Sequence, residues 1–295
     1  MREVRNWTLI RRSVQLLVVA LLLTPVAGGT FFTGNLSSSQ LLGLVLSDPY
    51  SVLETTVASR RLLAGLVLSG GIILGLYWVI GGRTYCGWVC PVNILLDWTD
   101  WVGRSLRNFR KTVSPVAGAT KPDGSKAKGI DGRTPYRVLA VFLLLSAATR
   151  LPVFGIINPI SAVVRNLQWG VDIGLILVAV LVLWQLIFRD RAWCRYLCPV
   201  GTIYGLLGKS SPVRVVLDHR SCTHCGVCQE VCPMGGEPVR EVWPRPAALK
   251  LTRLTDQDCT NCGLCIDRCP SKALQYQVFK HRQNLQLSKL SAKEG

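Results

Sequence analysis

Histidine is scarce in this chain: three in 295 residues, His219, His224 and His281, all in the last third. No histidine pair is therefore available in the apolar part to hold a haem across a bilayer, and no C-x-x-C-H haem attachment site occurs. A P-loop is missing, and no G-x-G-x-x-G follows an expected strand. These absences exclude a cytochrome b and an ordinary nucleotide-driven pump. Acidic side chains are also few, 17 against 34 Lys and Arg, leaving a formal net charge of +17.

Such a charge usually means a nucleic acid or a membrane. Here 49% of residues are hydrophobic and only 17% charged, and the basic residues cluster beside apolar runs instead of forming one stripe. The pattern is that of a membrane protein and speaks against nucleic acid. About 20 apolar residues in a helix cross a hydrocarbon core, and four runs have that length: 13–32, 62–82, 137–157 and 169–188. Arg150 and Pro152 weaken the third. Arg150 either pairs with Asp172, near the start of the next run, or reaches the headgroups.

Lys and Arg then set the orientation. Arg2, Arg5, Arg11 and Arg12 precede the first run, and further basic residues crowd the 83–136 loop and the tail from 189, whereas 33–61 holds only Arg60 and Arg61 and 158–168 only Arg165. By the positive-inside rule, the N-terminus, the 83–136 loop and the C-terminus are cytoplasmic. The Arg11-Arg12 pair reads as an orientation flank, not an export signal, because no small-x-small cleavage site follows it. The expected fold is an α-helical membrane protein, with a four-helix membrane domain over 1–210 and a cytoplasmic domain over 211–295.

All 12 cysteines fall at or beyond the cytoplasmic end of a run. Thiols stay reduced there, so metal or redox chemistry is expected and disulfides are not. Residues 222–233 read CTHCGVCQEVCP and 259–270 read CTNCGLCIDRCP, two copies of C-x2-C-x2-C-x3-C-P. In such runs three close thiolates wrap one iron–sulfur cube and the fourth ligates the other. Cys222, Cys225, Cys228 and Cys269 are therefore expected to hold one [4Fe-4S] cluster, and Cys259, Cys262, Cys265 and Cys232 the second, in an α+β two-cluster ferredoxin fold. Gly226 and Gly263 suit the tight backbone, and Pro233 and Pro270 end each turn. Zinc is disfavoured, since zinc knots separate their C-x2-C pairs by longer loops and often recruit His; His224 reads as a solvated or hydrogen-bonding side chain. The insert between the motifs reads as a basic surface hairpin or loop.

The other four cysteines form a second repeat. RTYCGWVCPV (83–92) and RAWCRYLCPV (191–200) each follow an even-numbered run, and DPYSV (48–52) and NPISA (158–162) precede the same two runs. The membrane part thus reads as a duplicated two-helix unit: span, outer [DN]-P-x-S, span, inner C-x3-C-P. Two copies in one orientation imply a pseudo-twofold axis along the membrane normal, with Cys86 and Cys90 facing Cys194 and Cys198 across it. On a continuing helix each i, i+4 pair would share a face. Three readings stand open for these thiols: an additional metal or iron–sulfur centre, a redox dithiol or electron relay, and helix-end packing.

Two C-x3-C-P pairs ending membrane helices, a two-ferredoxin-motif tail and the early GNLSSS (34–39) resemble the NapH/MauN family of ferredoxin-type membrane proteins, over essentially the whole chain. The resemblance implies a quinol dehydrogenase component that takes electrons from ubiquinol or menaquinol in the membrane quinone pool. A periplasmic iron–sulfur partner and a membrane-anchored multihaem c-type cytochrome would carry them toward periplasmic nitrate reductase. The MauN side of the family implies an alternative, an assembly, maturation or electron-donating factor for a periplasmic amine dehydrogenase. Asp48, Asn158 and Asp172 are candidates for quinol protons, with turn formation as the competing role of the first two.

Overall fold

The computed structural model describes residues 6–23, 32–35, 38–41, 44–100, 132–169, 174–188, 191–240, 242 and 251–278. The chain opens with α1 (Trp7–Leu23), followed by an antiparallel sheet of β1 (Phe32–Asn35), β2 (Ser38–Leu41) and β3 (Leu44–Ser47) in the order β1-β2-β3. Then come α2 (Pro49–Ser59), α3 (Ala64–Ile80) and α4 (Thr84–Trp88). Helix α5 starts at 91, and its described residues run to 100. The second half runs α6 (Thr134–Thr149), α7 (Val153–Ile157), α8 (Pro159–Trp169), α9 (Gly174–Phe188), a π-helical turn (Trp193–Leu197) and α10 (Pro199–Ser210).

The duplication is visible in this order: α2, α3, α4 and α5 correspond to α8, α9, the π turn and α10. Each copy is interrupted twice by an X-Pro step, at Asp48-Pro49 and Cys90-Pro91 and again at Asn158-Pro159 and Cys198-Pro199. Proline disfavours helix in the residue before it and is preorganised to start the next one. The paired cysteines therefore do not share one continuing helix, as the i, i+4 spacing suggested. Cys86 lies in α4 and Cys194 in the π turn, while Cys198 is the extended cap of α10, with φ −84° and ψ 109°.

Other expectations change as well. Among the described residues no helix is long and apolar enough to cross a membrane; α1 and α3 have 17 residues, α6 has 16 and α9 has 15. The 137–157 run is broken where Arg150 turns left-handed at φ 57° and Pro152 follows, so that α7 packs back on α6. The start of the 83–136 segment is helix, not loop. The [DN]-P steps are not exposed outer loops either: Asp48 and Asn158 are 5% and 2% exposed. Asp172 and all of 101–131 lie outside the described residues.

The core of this half gathers Tyr50, Tyr85, Cys90, Phe154, Cys198 and Tyr204, so both repeats converge on their cysteines. The tail is a sheet of β4 (Val213–Asp218), β5 (Leu251–Arg253) and β6 (Leu274–Val278) in the order β5-β4-β6, antiparallel throughout, with short helices α11 (Val227–Glu230), α12 (Glu237–Arg240) and α13 (Leu264–Arg268). Its core includes Val215, Leu217, Cys228, Leu254 and Cys259. The insert between the motifs is no mere surface hairpin, because Met234, Val239, Val242 and Leu254 are buried.

Candidate iron–sulfur sites

Cys86, Cys90, Cys194 and Cys198 line one cavity together with Tyr85 and Met234. The arginine of each R-x-x-C-x3-C-P copy reaches across to the other copy. Arg83 donates from Nε to the Gly201 carbonyl at 2.9 Å and from Nη2 to the Cys194 carbonyl at 2.8 Å. Arg191 donates to Asn93 Oδ1, Asp97 Oδ1 and Asp100 Oδ2. Gly201 and Asn93 each stand three residues after the second Cys of their pair, so the exchange is pseudo-symmetric. Arg11 joins it through Asp97 at 2.9 Å, a structural role that the flank reading of Arg11-Arg12 missed. The Arg of the repeated motif was visible in the sequence, but its acceptors were not.

Gly201 makes room for this crossing. A Cβ there would lie 2.9 Å from Arg83 Nη2 and 3.1 Å from the Cys194 carbonyl oxygen. Gly201→Ala should lower stability by about 1–3 kcal/mol, the usual cost of overpacking, measured as a lowered midpoint of thermal unfolding in detergent. An unchanged midpoint would show that the guanidinium yields freely.

Asp48 and Asn158 cap α2 and α8. Asp48 Oδ2 accepts from the Tyr50 and Ser51 amides, and its Oδ1 accepts from the Tyr204 hydroxyl at 3.1 Å. Asn158 Oδ1 accepts from the Ile160 amide at 2.9 Å. Tyr204 stacks on Tyr85, neighbour of Cys86, with ring centroids 5.0 Å apart. Burial raises the Asp48 carboxyl to about 6 against the hydrogen bonds that lower it. A raised acid favours the folded state most when protonated, so this contribution is complete below about pH 4 and is lost as pH rises through about 6. Asp48→Asn should flatten the stability profile between those values. A slope equal to that of the wild type would remove Asp48 as its source.

Burial also pushes up the thiols of all four core cysteines. Cys86 is partly offset by Arg83, and Cys194 by Arg191 and Arg83. Neighbouring thiolates oppose one another's ionisation: Cys194 acts on Cys90 and Cys198, and Cys86 on Cys198. Four mutually repelling buried thiolates beside two arginines suit a positively charged core that would neutralise them.

In the tail, the two motifs have the same backbone, with His224 and Asn261 left-handed and Gly226 and Gly263 both at φ 77°. Burial raises Cys228 to about 11, and Cys222, Cys269 and Cys225 add to it. Burial raises Cys232 to about 12, with Cys262 and Cys259 adding. A second cavity is lined by Cys232, Cys259, Cys262 and Cys265. Among the described residues no group of three or more Cys, His, Asp or Glu side chains is placed to hold a metal ion. A lone zinc needs sulfurs at about 2.3 Å, whereas an iron–sulfur cube holds its thiolates farther apart.

The tail is locked onto the repeats. Asp258 accepts from Arg83 Nη1 at 2.5 Å and from Arg195 Nε at 3.2 Å. Trp88, between Cys86 and Cys90, donates to the Asn261 carbonyl at 2.9 Å. The Trp7 and Thr8 amides donate to Asp267, and Trp7 meets Tyr276 edge-on at 4.6 Å.

The family model described as a 4Fe-4S binding domain matches this chain twice, over residues 62–110 and 171–216, and the 4Fe-4S dicluster domain matches 221–273. The two 62–110 and 171–216 matches contain the C-x3-C-P pairs. Fold and thiols define a ferredoxin-type iron–sulfur electron-transfer protein carrying [4Fe-4S] clusters. The methylamine utilization ferredoxin-type protein MauN of Methylorubrum extorquens is 36% identical over 77% of this chain and 75% of its own length. The ferredoxin-type protein NapH of Escherichia coli is 34% identical over 77% and 75%, and the putative electron transport protein YccM of the same organism 29% over 78% and 66%. The chain belongs to the family of the ferredoxin-type proteins MauN and NapH. No solved structure matches it.

Proposed function

We propose that the chain is a multi-pass protein of the bacterial inner membrane, with both termini cytoplasmic, that oxidises ubiquinol or menaquinol and passes the electrons to iron–sulfur centres. The carrying observation is the meeting of four thiols from both repeats in one buried cavity beside the tail. Cys222, Cys225, Cys228 and Cys269 would hold one [4Fe-4S] cluster, and Cys259, Cys262, Cys265 and Cys232 another. Cys86, Cys90, Cys194 and Cys198 would hold a third centre, a role supported by the two matches to a 4Fe-4S binding domain. Each such centre would store one electron, so the two electrons of a quinol would need two centres, with its two protons released separately.

Exposed apolar side chains support the membrane reading. Leu17 on α1 is 70% exposed, Ile72 on α3 64%, Leu144 on α6 69% and Ile176 on α9 65%. Soluble monomers rarely present such extended apolar surface. At about 1.5 Å per residue these helices reach roughly 22–26 Å, close to the ~30 Å hydrocarbon core.

The acceptors implied by the NapH likeness are a periplasmic iron–sulfur partner and a membrane-anchored multihaem c-type cytochrome. The test is reduction of the clusters by added quinol in anaerobic membranes, followed by EPR; clusters reduced only by a soluble cytoplasmic donor would overturn quinol oxidation. A second reading, a maturation or electron-donating factor for a periplasmic amine dehydrogenase, rests on the likeness to MauN, 36% identical beside 34% for NapH. Amine dehydrogenase genes beside this one would support it, and nitrate reductase genes would support the first.

A further inference from the structure

The two tail motifs are nearly the same in sequence and backbone, yet they face opposite surroundings. Thr260 and Asn261 are buried while Thr223 and His224 at the matching positions are exposed; Cys259 and Gly263 are buried where Cys222 and Gly226 are half-buried, and Cys225 is exposed where Cys262 is half-buried. What buries the second loop is the quartet half. A Cβ on Gly87, between Cys86 and Cys90, would lie 2.8 Å from the Thr260 carbonyl oxygen. Asn261 Nδ2 donates to the Gly81 carbonyl and its own carbonyl accepts from Trp88. Met234, 2% exposed, lines both the quartet cavity and the cavity of Cys232, Cys259, Cys262 and Cys265. One side chain thus forms a wall common to both.

The geometry points to a fixed polarity in the tail: the Cys259 end is wired to the quartet, and the Cys222 end is a port at which an acidic one-electron carrier protein docks on the cytoplasmic side. This rests on the ligand sets and orientation proposed above. The charge of the port selects the carrier. Arg220 precedes Cys222, and Arg268 and Lys272 flank Cys269; all three are exposed, against exposed Glu230 and half-buried Asp218, whose carboxylate accepts from the Arg220 amide and the Ser221 hydroxyl. Opposite charge steers docking and speeds encounter. In each exchange the carrier loses one electron and the tail gains it, with no bond, proton or leaving group involved. The port is separate from the quinol side, so electrons have two entrances that meet between Thr260 and Gly87.

The full chain in detergent tests this. After dithionite reduction, the neutral and the anionic dysprosium chelates of an aminocarboxylate are added, and EPR saturation is followed. About half of the reduced tail spins, a third of the total if the quartet centre is reduced as well, should relax faster, more so with the anionic chelate, and Cys225→Ser should remove that fraction while Cys262→Ser keeps it. Equal relaxation of all spins in the wild type would overturn the polarity even if both variants lose their clusters. An enzymatically reduced acidic [2Fe-2S] ferredoxin should then reduce the tail, several-fold more slowly in Lys272→Glu at low salt. An unchanged rate would overturn the port. Reduction by the ferredoxin but not by quinol would end the quinol reading alone, and the reverse would end the port alone.

Discussion

Replacing Cys86, Cys90, Cys194 and Cys198 together with Ser is expected to lower the iron content from about twelve to about eight per chain and to abolish reduction of the tail by quinol, while dithionite still reduces it. Each [4Fe-4S] centre accounts for about four irons, and the tail's own cysteines are untouched. The half-variants sharpen the result. Cys86→Ser with Cys90→Ser, or Cys194→Ser with Cys198→Ser, should each remove the same four irons, because all four thiols line a single cavity. A relay dithiol predicts eight irons throughout with quinol reduction lost. Helix-end packing predicts eight irons with quinol reduction kept and stability reduced, since a buried hydroxyl without a partner costs about 1–3 kcal/mol. Iron and acid-labile sulfide counts beside quinol titration separate the three outcomes.

The chemistry of this protein is carried by short motifs, and these are legible in one sequence because their spacing is local. The ferredoxin runs, the C-x3-C-P pairs and the duplication need only counting. What fails is reading short apolar and polar stretches as if burial followed hydropathy. Asp48 and Asn158 looked like outer turn formers; instead each caps a helix whose first residues enter the core with the cysteines. Pro49 and Pro159 were the available signal, because proline at a helix start after Asp or Asn marks a cap as well as a turn. Likewise Pro91 and Pro199 show that an i, i+4 pair cannot ride one unbroken helix. The Arg83 and Arg191 crossings lay beyond sequence reasoning, since they join residues about a hundred positions apart.

Asp258→Ala should be the most damaging single change at the joint between repeats and tail, with a loss of about 3–5 kcal/mol. Asp258 is buried and directly precedes Cys259; it answers Arg83 from the first repeat and Arg195 from the second. Its removal leaves two guanidiniums facing each other across the space it filled, both largely dry at 2% and 8% exposure. Arg83→Met should cost less, because Asp258 loses one donor but keeps Arg195, and the other groups left without their donor are the neutral Gly201 and Cys194 carbonyls. Asp258→Asn belongs between them, as the amide oxygen still accepts from one guanidinium. Added salt should rescue none of the three, since screening acts weakly on buried pairs. Thermal unfolding of the three variants gives the ranking. If Asp258→Ala unfolds within about 0.5 kcal/mol of the wild type, as an ordinary surface substitution does, the joint is held by Trp7, Trp88 and Asn261 instead.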